Sequence, residues 1–299
     1  MSPDLPQAWA ETPDQLRWRA ARARRHVLRM LRAGGAGHLG GAMSCVDLVS
    51  CLYFHAMRQD PAQPQAPGRD RFILSAGHKC LGQYAVLAEA GYFDLDRLDS
   101  YGHLGTSLPG HPDMTKLPGI EANTGSLGHG LSIGLGMALG LRLDGPDGQV
   151  GPDGRIGQVY VLLGDGELPE GSNWEAAAAA HHHRVGNLTA LVDVNGLQIS
   201  GRTAEVMSTE PLAERWAGFG WDAIAIDGHD VEQILAALAQ ARQNPDRPCV
   251  ILAHTVKAKG VSFAEDKVDF HYWKTKPDLL AQAEAEAEAR ISALEEVLA

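Results

Sequence analysis

Residues Ile156–Gly201 read IGQVYVLLGDGELPEGSNWEAAAAAHHHRVGNLTALVDVNGLQISG: a strand, an acidic turn, a helix, a second strand and a second polar turn. The apolar run Val159–Leu163 is short and stops at Gly164, the pattern of a strand covered on both faces in a parallel sheet. The Ala-rich run Trp174–Ala180 favours helix. Leu188–Val194 is a second apolar run. Asp165 and Asn195 each stand just past the end of a run. Parallel neighbouring strands bring both side chains to the carboxyl edge of the sheet, where ligands of open α/β sheets bind.

A carboxylate and an amide oxygen are hard ligands suited to Mg²⁺ or Ca²⁺. Mg²⁺ takes few protein groups and completes its shell with phosphate oxygens and water. The helix beginning near Glu170 offers free N–H groups and a partial positive charge to an anion. Gly164 and Gly166 let the backbone approach that anion closely. Two readings fit the GDG turn: a Mg²⁺-bridged diphosphate, or a tight strand–helix turn capped by Asp165. The asparagine at a second strand end about 30 residues on favours the first.

The chain has 299 residues, 44% of them hydrophobic, enough for a large core and near the upper size of one domain. A net charge of −11 argues against nucleic acid or an anionic membrane as partner. No apolar run approaches the roughly 18 residues of a membrane span, and the N-terminus lacks an apolar signal core. Arg17–Arg32 reads as a basic amphipathic helix. Cys45, Cys51, Cys80 and Cys249 form no CxxC pair, consistent with reduced thiols in a cytoplasm.

No repeat or low-complexity linker divides the chain, so residues 1–299 read as one domain, with Asp60–Gly68 a Pro-rich surface loop. Strand-like runs recur at Arg71–Leu74, Gln158–Leu163, Asn187–Val194, Trp221–Ile226 and Cys249–Ala253, with helical patterns between them, as at Val231–Arg242. This alternation predicts an α/β fold, a parallel sheet with helices on both faces. Pro277–Leu298 reads as one exposed helix.

Histidines punctuate the remaining loops. His38 lies in AGGAGHLGGAM (Ala33–Met43), a Gly-rich loop that is either functional or simply flexible. His78 follows the strand RFIL in SAGHKC. His103 and His111 sit in Tyr101–Gly130, the longest irregular segment, and long irregular loops tend to be functional; His103 reads as a surface or loop histidine. Asn123–Gly130, NTGSLGHG, opens a helix over Leu131–Leu143. Cys249–Trp273 runs from a buried strand through a Lys-bearing turn into an acidic loop. Three consecutive residues point three ways around a helix, so His181–His183 do not converge on one metal. His254 reads as a strand-end core histidine.

GDG followed at this distance by Asn is the thiamine diphosphate motif, and GDGELPEGSNWEA and DVNGLQISG resemble transketolase in particular. The resemblance covers nearly the whole chain but only the diphosphate-binding half of a full-length transketolase. His38 matches the G-H-x-G loop, LPGHPD matches a PGHPE-type motif at His111, and Gly125 and Leu127 match a segment that contacts the thiamine ring. Lys257, Gly260, Glu265–Lys267 and His271 match K-G-x-G…E-D-K…H-G. Leu39, His129, Ala258 and Tyr272 depart from the pattern, and Tyr272 adds bulk beside the site.

The resemblance implies thiamine diphosphate with Mg²⁺, Ca²⁺ and Mn²⁺ being further candidates for the metal. Asp165, Asn195 and the Leu197 carbonyl hold the metal. Gly164, Gly166, Glu167, His78, Lys257 and His271 join Gly125 and Leu127 around the cofactor. His38 and His271 move protons, and His78 and His111 hold the two-carbon unit passed from a ketose to an aldose, phosphorylated or not. Glu170 and Glu175 match interface acids on a proton path between two sites. The resemblance also implies a separate pyrimidine-domain subunit, in an α2β2 heterotetramer, that would supply the missing half. The competing readings are the α subunit of a 2-oxoacid dehydrogenase, a deoxyxylulose-phosphate synthase fragment and a non-catalytic cofactor-binding subunit.

Overall fold

The computed structural model describes residues 10–144 and 156–299; the rest of the 1–299 span lies outside the described residues. The chain starts with α1 (Pro13–Gly34), opened by a capping box between Thr12 and Gln15 and closed by Gly35 in the left-handed conformation, φ +72°. Then come β1 (Ala36–Gly37), α2 (Leu39–Cys51), β2 (Arg71–Leu74), α3 (Cys80–Glu89), α4 (Gly130–Leu143), β3 (Val159–Gly164) and α5 (Gly171–His182). The second half runs β4 (Leu188–Val194), β5 (Leu197–Gln198), β6 (Gly201–Arg202), α6 (Thr203–Val206), α7 (Leu212–Gly218), β7 (Asp222–Asp227), α8 (Val231–Ala241), β8 (Cys249–His254), β9 (Trp273–Lys274) and α9 (Pro277–Leu298). All five predicted strands form within one residue of their predicted ends.

β2, β3, β4, β8 and β7 make one parallel sheet in that order. Every residue of β3 is buried, because helices cover both faces of the sheet and leave no solvated side for polar residues. Side chains alternate between the two faces. Tyr160 and Leu162 join the core under α1, α2, α3 and α8. Val159, Val161 and Leu163 join the core under α4, α5 and α7. Gly164 of β3 pairs with Asp193 of β4, so Asp165 and Asn195 leave the sheet side by side.

Three expectations change. Leu39–Met43 is not loop but the buried first turns of α2, with His38 at the N-cap position. The C-terminal helix is exposed on one side only: Leu280, Ala283, Ala287, Ile291 and Leu294 are buried, and α9 packs along α1. The window Leu39–Ala56 does reach the length and apolarity of a membrane span, but 94% of it is buried inside the protein, so its apolarity serves the core.

Candidate active site

A cleft of about 430 Å³ opens at the carboxyl edge of β2, β3 and β4, within the size range of cofactor pockets. One wall is the GDGE turn. A single 3₁₀ turn, Asp165–Glu167, separates β3 from α5, and no residue of α5 lines the cleft. The backbone facing an anion is therefore the turn itself, not the α5 N-terminus expected near Glu170. Asp165 is buried; its Oδ1 accepts from the Gly166 amide at 2.9 Å and its Oδ2 from the Gly196 amide at 2.7 Å. Asn195 Oδ1 accepts from the Leu197 amide at 3.2 Å, and its Nδ2 donates to Asp193. Glu167 lines the cleft, but its oxygens accept from Ser75 Oγ and from the Gly128 and Gly164 amides. It braces the turn against the Asn123–Gly130 loop.

The opposite wall carries two lysines. Lys257 Nζ donates to the Leu197 carbonyl at 3.1 Å and to His271 Nδ1 at 3.0 Å. An ammonium has no acceptor, so His271 carries its proton on Nε2. Lys79 Nζ pairs with Asp193 Oδ2 at 2.6 Å, both groups buried. Asp193 also accepts from Ser44 and Thr255. Both lysines cross the start of α2, where a Cβ on Gly40 would stand 2.8 Å from Lys257 Cε and one on Gly41 2.9 Å from Lys79 Cγ.

Four imidazoles ring the mouth. The His38 ring centroid lies 5.2 Å from His78, 6.1 Å from His111 and 5.5 Å from His271, and His78 stacks on His271 at 5.3 Å. Pairing of Gly37 with Trp273 holds the residues on either side in place, and Tyr272, half-exposed, meets His38 edge-on at 4.9 Å. The His111 loop is tied to α3 by Tyr84 Oη donating to the His111 carbonyl at 3.0 Å. Gly125, at φ +140°, lets His111 approach: a Cβ there would stand 2.6 Å from His111 Cδ2. Leu127 lines the same side.

The charges within the cleft do not balance. Burial, then the neighbouring Asp193, pushes the Asp165 carboxyl up to about 6. Burial, then the Lys79 charge, pulls Lys257 down to about 8. Burial lowers His38 to about 4, helped by His111 and Lys257, and lowers His271 to about 3, helped by Lys257 and His38. His78 is lowered by burial and by Lys79. Burial disfavours the Asp193 carboxylate, but Lys79 and the hydroxyl donors outweigh it and hold it below the usual range. The crowded carboxylates Asp165 and Asp193 call for a cation, and the two neighbouring ammoniums, Lys79 and Lys257, together with imidazoles that resist protonation, leave room for an anion. One carboxylate, one amide oxygen and one carbonyl also match a metal that shares its shell with phosphate oxygens.

The other sequence candidates lie elsewhere. Glu170 and Glu175 are exposed and outside the cleft. His129 is exposed, its Nδ1 donating to the Leu127 carbonyl of the same loop. His181–His183 are exposed, and among the described residues no group of three or more His, Cys, Asp or Glu could hold a metal ion. His103 is exposed, its Nε2 donating to the Ala33 carbonyl. His254 is exposed at the end of β8, not the core histidine expected, because the side chain falls past the last covered strand residue. Sequence reasoning missed Lys79 and Asp193. Residues two apart on a strand share a face, so the D of DVNG was readable beside Asn195. Lys79 had no such signal.

Residues 19–286 match the family model described as transketolase, thiamine diphosphate binding domain. The chain is 38% identical over 282 residues to a subunit of the apulose-4-phosphate transketolase of Phocaeicola vulgatus, covering 94% of this chain and 97% of that one. It is 40% identical over 254 residues to a 6-deoxy-6-sulfo-D-fructose transketolase subunit of Clostridium sp., covering 85% and 89%. The crystal structure of the Campylobacter jejuni transketolase superposes with a TM-score of 0.83 at 28% identity, over 94% of this chain and 45% of that one. The chain thus spans about half the length of the solved transketolases it matches.

Proposed function

We propose, because this chain belongs to the transketolase family as a thiamine diphosphate binding domain, that it is the diphosphate-binding subunit of a two-component transketolase. The observation that carries this reading is the placement of Asp165 and Asn195 beside Lys257 and under four imidazoles in one cleft. Asp165, Asn195 and the Leu197 carbonyl would hold Mg²⁺, and Lys257, which donates to that carbonyl, would face the diphosphate. Gly166 and His78 contact the same group, and Gly125 and Leu127 border the ring. When bound, thiamine diphosphate supplies the nucleophilic carbon for transfer of a two-carbon ketol unit.

His38 and His271 are neutral at pH 7; His38 keeps one ring nitrogen free to accept a proton from a substrate hydroxyl, while His271, whose Nδ1 accepts from Lys257, presents its Nε2–H as a donor. His78 and His111 face the same space and orient the hydroxyls of the transferred unit. The donor is a ketose and the acceptor an aldose, with or without phosphate. A separate pyrimidine-domain chain completes the site in an α2β2 assembly. Two observations support it: the P. vulgatus and Clostridium relatives, matched over nearly their whole length, are themselves named as subunits of transketolases, and the match to solved transketolases covers only half of them. Exposed Ile199 and Tyr272 beside the cleft, and exposed Glu170 and Glu175, suit a docking face for that chain. Four buried free cysteines suit the cytoplasm.

Calorimetric titration with thiamine diphosphate tests the reading. Binding is expected with Mg²⁺ and lost with a chelator or in Asp165→Ala; equal binding in all three contradicts it.

A further inference from the structure

Two loops face each other across the cleft. One, Asn195–Arg202, carries Asn195 and Leu197; the other, Val256–His271, carries Lys257 and His271. Inside, Lys257 Nζ joins them by donating to the Leu197 carbonyl at 3.1 Å. Outside, Arg202 and Asp266 join them again as a fork, Nη1 to Oδ1 and Nη2 to Oδ2, both at 2.7 Å. The two links are in register. Arg202 is the β6 residue paired with Leu197 of β5. Asp266, in the left-handed region at φ +56°, donates its amide to the Lys257 carbonyl at 3.0 Å. The surface fork therefore repeats, one residue pair out, the connection that Leu197 and Lys257 make at the cleft.

We infer that the Arg202–Asp266 fork is a surface clasp that positions the Leu197 carbonyl against the Lys257 ammonium and so holds the cleft closed on its diphosphate. The two residues are positioning residues; neither lines the cleft. A parallel, two-bond Arg–carboxylate fork fixes direction as well as distance, which a single Lys–Asp contact does not. Both side chains are about half-exposed, so the clasp is salt-sensitive, while the buried Lys257 link is screened far less. Opening the clasp leaves the fold intact and lets the two loops separate, which lengthens the path over which Lys257 must reach an anion. The inference rests on the reading of the cleft as a diphosphate site.

The test compares the full chain with Arg202→Ala, Asp266→Ala, the double alanine variant and the exchanged pair Arg202→Asp with Asp266→Arg. The first readout is amide hydrogen exchange at Leu197 and Asp266 without ligand. The second is affinity for thiamine diphosphate with Mg²⁺ at low and high salt. Each single variant is expected to speed exchange at both amides and weaken affinity about threefold to fivefold, the upper range for an exposed pair. The double variant should be no worse than a single, the exchanged pair should recover, and high salt should bring the wild type to the level of the single variants. Exchange unchanged at both amides in the single variants, or effects that add in the double variant, overturns the clasp. A wild type that shows the exchange pattern but no binding of the cofactor overturns the diphosphate reading and the clasp's role in it, and leaves the loop coupling as a purely structural fact.

Discussion

The floor and the mouth of the cleft are built on opposite principles. At the floor the protein answers its own charges. Asp193 takes donors from Lys79, Ser44, Asn195 and Thr255, and Glu167 takes three more. At the mouth His38, His78 and His111 meet other rings, and among the described residues their side chains make no hydrogen bond to the protein. Buried polar groups are ordinarily satisfied. The buried groups of the floor are satisfied and fix its shape; at the mouth, where His111 is exposed and His38 and His78 are part-exposed, the ring nitrogens stay open to a ligand.

Breaking the floor costs most. Asp193→Ala leaves Lys79 buried without its counter-charge, and denaturant unfolding should show a loss of about 3–5 kcal/mol. Asp193→Asn should lose less, since the hydroxyl donors keep an acceptor. Breaking the mouth should spare stability and strike turnover. His271→Phe in the complete enzyme is expected to lower kcat about a hundredfold or more, with cofactor affinity within about threefold, because Lys257 keeps the Leu197 carbonyl. A loss of stability equal to that of Asp193→Ala would erase the distinction between the two regions.

Acidity sharpens it further. Asp165 is raised to about 6 from an ordinary value of 3.8, so the folded chain binds its proton more readily than the unfolded chain. Its contribution to apo stability is fully present below about 4 and is lost as pH rises to about 6. Metal needs the ionised form. Cofactor affinity in Mg²⁺ should therefore fall as pH drops below about 6, approaching tenfold per pH unit, which calorimetry across pH 5–7 reads directly. Affinity flat across that range contradicts the assignment of Asp165.

The smallest effect is expected at Ala258, buried and left-handed at φ +61°, where the transketolase pattern carries glycine. Ala258→Gly relieves about 1–2 kcal/mol of backbone strain. It also loses a buried methyl, about 0.8 kcal/mol, and frees the unfolded chain by about 0.4–1 kcal/mol. Thermal unfolding should change by less than about 1 kcal/mol. This departure from the pattern is thus tolerated locally, with Ala258 still donating its amide to the Gly40 carbonyl at 2.9 Å.

Legibility in the sequence follows the same division. Strands buried on both faces announce themselves as short apolar runs, so the sheet and the edge bearing Asp165 and Asn195 could be read from periodicity. The histidines were singled out by motif and put in one site by the resemblance; the fold adds the distances at which four residues spread from 38 to 271 share one mouth. Lys79 was invisible because a lysine after a strand reads as surface; its burial depends on Asp193, which arrives from another strand. Leu39–Met43 looked like loop because its glycines, which in isolation disfavour helix, are there to let Lys257 and Lys79 pass. Arg202 and Asp266, far apart in sequence, form a clasp that no local pattern announces.

The most direct test of the two-component account is ketol transfer by the purified chain, supplied with thiamine diphosphate, Mg²⁺, a ketose and an aldose, with and without a pyrimidine-domain transketolase chain. Transfer only when the second chain is present is the predicted result; sustained turnover by this chain alone would contradict it.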